Sequence, residues 1–275
     1  MTNDLPHLPH LPQLPITDYL TCEHMSVSRR QLWSDCQNAY KFRYHLKIIP
    51  DEPVKPYFVY GKVIHKIIEE YTREQGKRAI ESIAADVLNG KIETEPGAGV
   101  PFLEPDYQKK LAGHLRNLKT LTDKIGYDGY LEWKFHYDIQ PPDKHFITGF
   151  IDRLIIRGDK YFILDYKTTK KGFWRKNANT IRKDLQLRCY ARVVQKEFGA
   201  KAENIRAALY YVDSGNGDLI STRFSEESLI TAEQELHDAY KEITSTKPED
   251  VYGRVNDQCK RCSYRKICSF YSLTD

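Results

Sequence analysis

The sequence predicts an α/β chain, a sheet flanked by helices, on three observations. Residues 149–168 form two apolar runs around Arg157-Gly158-Asp159-Lys160, the pattern of a β-hairpin. Residues 59–75 place Val63, Ile64, Ile67, Ile68 and Tyr71 on one helical face. A helical stretch at 184–198 is followed by strand-like runs at 205–213 and 219–224, with Ser-Gly-Asn-Gly between them.

The remaining elements follow in chain order. Residues 1–25 carry LPHLPHLPQLP, and proline at that density blocks helices and sheet ladders. A disordered leader is expected there, with a docking peptide as the other reading; nothing organises His7, His10 and His24 into a site. Residues 26–46 read as a helix capped by Ser26 or Ser28, with Cys36 turned inward beside Leu32. A proline-bearing turn at 51–56 precedes the helix at 59–75. On that helix His65 lies near the apolar stripe and Glu69 one turn further on. A lone histidine in that position is by default structural. Helices at 77–88 and 107–125 make residues 76–129 a helical insertion. Residues 131–139 read as a strand around Glu132, Trp133 and Phe135, and 226–245 as the last long helix.

Composition sets limits. A chain of 275 residues allows one large domain with or without a small appendage. Its 42 basic and 38 acidic residues nearly cancel, so any nucleic-acid surface must come from local clustering. No run approaches the roughly 18 apolar residues of a membrane span. No basic segment followed by an apolar core opens the chain, and a cytoplasmic protein is expected. Six cysteines in that compartment argue against a disulfide framework. No G-x-x-x-x-G-K-[ST] phosphate loop is present, so no ATP-driven motor is expected.

Chemistry concentrates on the hairpin. Strand alternation puts Phe150, Asp152, Leu154 and Ile156 on one face, and Tyr161, Ile163, Asp165 and Lys167 on one face of the second strand. A buried unpaired charge costs several kcal/mol, roughly. A salt bridge from Lys167 to one aspartate leaves the other carboxylate alone. A divalent cation on both carboxylates, with Lys167 facing a substrate, satisfies all three. Between residues 170 and 183 lie Lys170, Lys171, Arg175, Lys176, Arg182 and Lys183, without an acid, around Phe173 and Trp174. Cations among aromatics suit a single strand, neutralising phosphates and stacking under bases; a solvated loop is the plainer reading. Gln186 and Tyr190 share a helix face, with Cys189 between them. Near the end, Cys259, Cys262 and Cys268 form C-x2-C-x5-C. This spacing signals a metal, structural zinc or a [4Fe-4S] cluster, with a fourth ligand among Cys36, Cys22, His24 and Cys189. Lys260, Arg261, Arg265 and Lys266 add cations beside it.

Asp152 followed by Asp165-Tyr166-Lys167 resembles the D…(D/E)-x-K signature of the PD-(D/E)XK nuclease superfamily. Gly-x-x-Asp152-Arg153, then Leu164-Asp165-Tyr166-Lys167-Thr168, is similar to its RecB-like branch. Gly61-x-x-x-His65, Gln186-x-x-x-Tyr190, an upstream Cys36 and three terminal cysteines fall in the order of the iron–sulfur RecB-like exonucleases. These include the AddB nuclease domain and CRISPR-associated exonucleases. Many of those place proline after the upstream cysteine, where this chain has Gln37.

The resemblance implies a restriction-endonuclease-like core, a mixed sheet flanked by helices, at 130–225 within a nuclease domain spanning 26–275. Residues 26–50 and 255–275 would form a staple around [4Fe-4S] held by Cys36, Cys259, Cys262 and Cys268, with zinc as the alternative. It implies Mg²⁺ or Mn²⁺ on His65, Asp152, Asp165 and the Tyr166 carbonyl. Lys167 would then position the attacking water or stabilise charge, and Gln186 and Tyr190 would orient the scissile phosphate or the flanking backbone. The DNA contacts would be Lys170, Lys171, Trp174, Arg175 and Lys176. The implied activity is exonucleolytic, on single strands or DNA ends, in repair, recombination, phage replication or CRISPR adaptation, with a helicase or CRISPR-adaptation partner. The contrasting class is a non-catalytic DNA-binding adaptor of the same fold.

Overall fold

The computed structural model describes residues 18–50, 54–138, 145–169, 175–213, 215–253 and 255–271. The proline-rich repeat and Lys170, Lys171 and Trp174 lie outside the described residues. The chain divides into two compact units: Val54–His136 with Gly149–Glu233, and the described parts of Met1–Pro53, Tyr137–Thr148 and Gln234–Asp275.

The first unit is α/β. Its helices are α3 (Pro56–Arg73), α4 (Ile80–Leu88), α5 (Pro105–Ile125) and α6 (Leu185–Phe198). Strands β1 (Tyr130–Asp138), β2 (Phe146–Arg157), β3 (Lys160–Lys167), β4 (Ile205–Tyr211) and β5 (Asp218–Thr222) lie side by side in that order. The predicted hairpin is β2 and β3, antiparallel with Leu154 opposite Ile163, and Gly158 supplies the positive φ of its turn. β3 and β4 are parallel, with Asp165 opposite Leu209. Parallel neighbours need a crossover, and α6 supplies it. β4 and β5 are antiparallel, so the sheet is mixed.

Apolar periodicity explains the packing. The stripe of Val63, Ile64, Ile67, Ile68 and Tyr71 on α3 meets Ile80, Ile83 and Val87 of α4 and Leu115 and Leu118 of α5. Leu164 and Tyr166 of β3 and Ala208 and Tyr210 of β4 close this core. Each fully buried aliphatic side chain contributes about 1.5–3 kcal/mol. α3 starts at Pro56, three residues before the predicted boundary, because proline's missing N–H costs nothing in the first turn. Asp184 caps α6 by accepting the Leu187 N–H at 3.0 Å, and Gly199 ends it with a left-handed backbone.

The second unit contains α1 (Val27–Asp35), α2 (Gln37–Tyr40) and the C-terminal part of α7 (Glu226–Ser245). The Ser26 hydroxyl accepts from the Arg29 N–H at 3.2 Å and starts α1. One helix through 26–46 does not form. Cys36 is extended (φ −164°, ψ 109°), α2 restarts after it, and a π-helical turn follows over Lys41–His45. Cys36 therefore sits at a break between helices, and Trp33, Asn38, Ala39 and Tyr40 take the buried positions. The Lys41 ammonium donates to Pro248 O at 2.7 Å, and the Tyr264 hydroxyl to Ile48 O at 3.3 Å. These bonds tie the N-terminal helices to the C-terminal segment.

Candidate active site

Four elements of the α/β unit bring charged groups together where β2 and β3 leave their ladder. Asp152 precedes Arg153, and Asp165 follows Leu164, the last pair of the hairpin register. The Lys167 ammonium lies 2.5 Å from Asp165 Oδ2 and donates to Gln186 Oε1 at 3.3 Å. Gln186 donates in turn to the Tyr190 hydroxyl at 2.6 Å. The two residues read as sharing a helix face thus act as one chain ending at Lys167.

Asp152 faces α3. Its Oδ2 accepts the Tyr166 N–H at 2.7 Å and lies 3.5 Å from His65 Nδ1. His65 Nε2 lies 3.0 Å from the Tyr166 carbonyl oxygen. Glu132 Oε1 reaches to 3.9 Å from His65 Nδ1. Ligand atoms of His65, Glu132 and Asp152 all lie within 4.8 Å of one another. The sequence reading assigned no role to Glu132. Lys134 and His136 are exposed and Phe135 is buried, so strict alternation would turn Glu132 outward. Its backbone has φ 45°, a conformation that costs an L-residue about 1–2 kcal/mol. That break in the strand resets the alternation and aims the carboxylate at His65. Strain of this kind concentrates at functional sites.

The charges are interdependent. Burial opposes a proton on His65, but Asp152, then Glu132 and Asp165, outweigh it and hold the imidazole near 9. Burial pushes Asp152 up to about 7; His65 and Lys167 oppose the shift and Asp165 adds to it. Burial disfavours the ammonium of Lys167, yet Asp165 and Asp152 keep it charged to about 12. Three carboxylates, Glu132, Asp152 and Asp165, thus lie beside one imidazole and one ammonium. Imidazole and carboxylates are donors that fit Mn²⁺ or Mg²⁺.

Arg153 points to the other face of β2 and is fully buried. Its Nη2 donates to Gly126 O at 2.5 Å and Asp128 O at 3.0 Å, where α5 ends and the chain turns toward β1. A cation belongs at a helix C-terminus, where carbonyls lack partners. Arg153 thus fixes the entry of the strand that carries Glu132. Of the cations proposed for DNA, Arg175 pairs with Asp218 and lies over the Tyr211 ring, 4.5 Å from its centroid. The Lys176 ammonium is 3.9 Å from Asp184, and its N–H donates to the Tyr211 hydroxyl at 2.9 Å. Glu69 pairs with Lys66 and Arg73 on its own helix.

The matching family model spans residues 24–269 and describes the PD-(D/E)XK nuclease superfamily. The chain belongs to that superfamily. Its mixed five-stranded sheet with flanking helices is the corresponding α/β core. No curated protein matches the chain in sequence. Among solved structures, a Eubacterium rectale protein named "Putative exonuclease" is similar in fold, with a TM-score of 0.52 and 14% identity over 92% of this chain and 93% of that one. A structure of SSO0001 matches with a TM-score of 0.37 and 18% identity over 83% of this chain and 92% of that one. No helix among the described residues is long and apolar enough to cross a membrane.

In the second unit, Cys36, Cys259, Cys262 and Cys268 line one recess with Phe42, Tyr264 and Phe270. Three of the sulfurs face N–H donors. Asn38 Nδ2 lies 3.5 Å from Cys268, the Asn256 N–H 3.4 Å from Cys259, and the Tyr264 N–H bonds Cys262. Burial raises the Cys262 thiol, and the three neighbouring cysteines add to the shift. The other candidate ligands lie elsewhere. Cys22 donates its thiol to His24 O at 3.2 Å, and Cys189 is buried on α6, where burial pushes it to about 12.

Proposed function

We propose that the chain is a metal-dependent deoxyribonuclease, an exonuclease acting on single-stranded DNA or DNA ends. The observation that carries this is the convergence of His65, Glu132 and Asp152 beside the Asp165–Lys167 pair. His65, Asp152, Asp165 and the Tyr166 carbonyl, with Glu132 added, would hold Mn²⁺ or Mg²⁺. Such a cation would supply a lowered pKa for the attacking water and positive charge against the phosphate. Lys167 stays an ammonium because Asp165 and Asp152 hold its proton, and it presents positive charge to a phosphodiester. Gln186 restrains that ammonium, and Tyr190 fixes the Gln186 amide. Asp152 is held in place by the Tyr166 N–H, which donates to the oxygen that faces His65.

In the other unit, Cys36, Cys259, Cys262 and Cys268 would hold a [4Fe-4S] cluster joining the N-terminal helices to the C-terminal segment. Cys36 far upstream with Cys259, Cys262 and Cys268 near the end is the order that supports the iron–sulfur cluster over zinc. The cluster would be structural, and the pathway of repair, recombination, phage replication or CRISPR adaptation would follow from a helicase or adaptation partner.

The test is cleavage of end-labelled single-stranded DNA in Mn²⁺ or in EDTA by wild type and Asp165→Ala. Product from the wild type in Mn²⁺ alone supports the assignment. Equal product from Asp165→Ala, or none from a cluster-bearing wild type, refutes it; the latter outcome favours the DNA-binding adaptor.

A further inference from the structure

A second concavity in the α/β unit, of about 600 Å³, is lined by Tyr57, Tyr60, Tyr107, Thr168, Thr169 and Asp213. Lys110 and His114 complete its wall. It adjoins the site described above. Thr168 directly follows Lys167, and a Cβ on Gly61 would stand 3.9 Å from Thr168 Oγ1. Gly61 is one helical turn before His65 on α3, about 5–6 Å along the axis.

The wall is built rather than incidental. His114 is 5% exposed, and its Nδ1 lies 2.6 Å from the Tyr60 hydroxyl, its Nε2 3.2 Å from Asp213 Oδ1. Lys110 is 3.7 Å from Asp213. Three elements distant in sequence therefore fix the floor. Burial, with Lys110, keeps the His114 ring below its ordinary pKa, although Asp213 opposes. The neutral ring and the Lys110–Asp213 pair leave no net charge, so the cavity does not suit a phosphate. Its other walls are aromatic and alcoholic. Tyr60 and Tyr107 lie with centroids 4.6 Å apart and planes at 31°, and Tyr57 stands 48% exposed in the first turn of α3. An exposed tyrosine beside a rigid aromatic wall, with hydroxyls at the rim, matches a planar ligand with polar edges.

We infer that this cavity takes an unpaired nucleobase of the strand whose phosphodiester lies at the His65–Asp152 site, with Tyr57 and Tyr107 as its stacking walls. The inference rests on the nuclease reading and adds a requirement: the strand must be unstacked there, which selects single strands or frayed ends. The volume is within the range of small-ligand pockets and admits one nucleotide with solvent. Stacking on an aromatic side chain is sequence-tolerant, because every base has a π-face.

The test is equilibrium binding in EDTA, so that cleavage plays no part. The probes are a labelled single-stranded oligodeoxynucleotide and a fully abasic deoxyribose-phosphate strand of equal length and charge. Wild type is expected to bind the base-bearing strand about fivefold to a hundredfold more tightly. Tyr57→Ala, at an exposed position, should lose most of that preference while keeping its affinity for the abasic strand. Tyr107→Phe should retain the preference, and Tyr107→Ala should lose it. Equal affinity of wild type for both strands, failure to bind either, or an equal loss on both strands in Tyr57→Ala would overturn the inference. Metal-dependent cleavage is measured separately, so base-dependent binding without cleavage would fail the nuclease reading alone.

Discussion

Glu132 ties backbone conformation to the site, and replacing it separates the two. Glu132→Gly removes the carboxylate and accepts φ 45° without penalty; Glu132→Ala removes the carboxylate and keeps the strain. Relief of the left-handed backbone is worth about 1–2 kcal/mol. The extra chain entropy of glycine returns about 0.5–1 kcal/mol. Both variants lose the same 3.9 Å approach to His65, a part-exposed pair worth about 0.2–1 kcal/mol. The glycine variant should therefore be more stable than the alanine variant by about 0.5–1 kcal/mol. In EDTA that is a melting temperature higher by about 1–4 °C, read by calorimetry. Both should lose Mn²⁺-dependent cleavage by at least about tenfold, and raising Mn²⁺ should restore part of it. Alanine equal to or more stable than glycine would refute the strain argument. Wild-type cleavage at limiting Mn²⁺ in either variant would refute the placement of Glu132 in the cation site.

Three further outcomes are expected. Cys262→Ser should lose bound iron and visible absorbance together and unfold at lower urea; a variant that stays brown and stable would remove Cys262 from the cluster. Arg153→Met leaves the Gly126 and Asp128 carbonyls unpaired, at about 1–3 kcal/mol each. It should lower stability by about 2–4 kcal/mol in urea denaturation, and a loss under about 0.5 kcal/mol would contradict its role. His114 is held below its unfolded pKa by burial, so the unfolded chain binds the extra proton. Its contribution to stability is present above about pH 6.5 and is lost as pH falls below it. A urea midpoint that falls from pH 7 to 5.5 in wild type, and falls less in His114→Gln, checks this; identical pH profiles would refute it.

The hairpin and α3 were legible because their apolar periods are local, and Gly158 marked the turn between the strands that carry Asp152 and Asp165. Asp152 and Asp165 could be singled out because a charge on an otherwise apolar strand needs a partner. Glu132 was not legible. Its sequence neighbours alternate normally, and the break at φ 45° exists only once β1 is in the sheet. Arg153 was named only as part of a motif, since its partners are backbone carbonyls 25 and 27 residues away. Cys36 was expected on a helix because its neighbours have helical spacing, but the extended backbone at that residue breaks the helix and directs the thiol to the recess. Tyr60, His114 and Asp213 meet across 54 and 99 residues, a separation that periodicity does not reach.

The cation site itself is tested most directly by crystals grown in Mn²⁺ and measured at the manganese absorption edge. The account predicts an anomalous peak within about 2.0–2.3 Å of an Asp152 carboxylate oxygen and a His65 ring nitrogen, absent from Asp152→Ala crystals. A peak at another place, or none between His65 and Asp152 at saturating Mn²⁺, would contradict it.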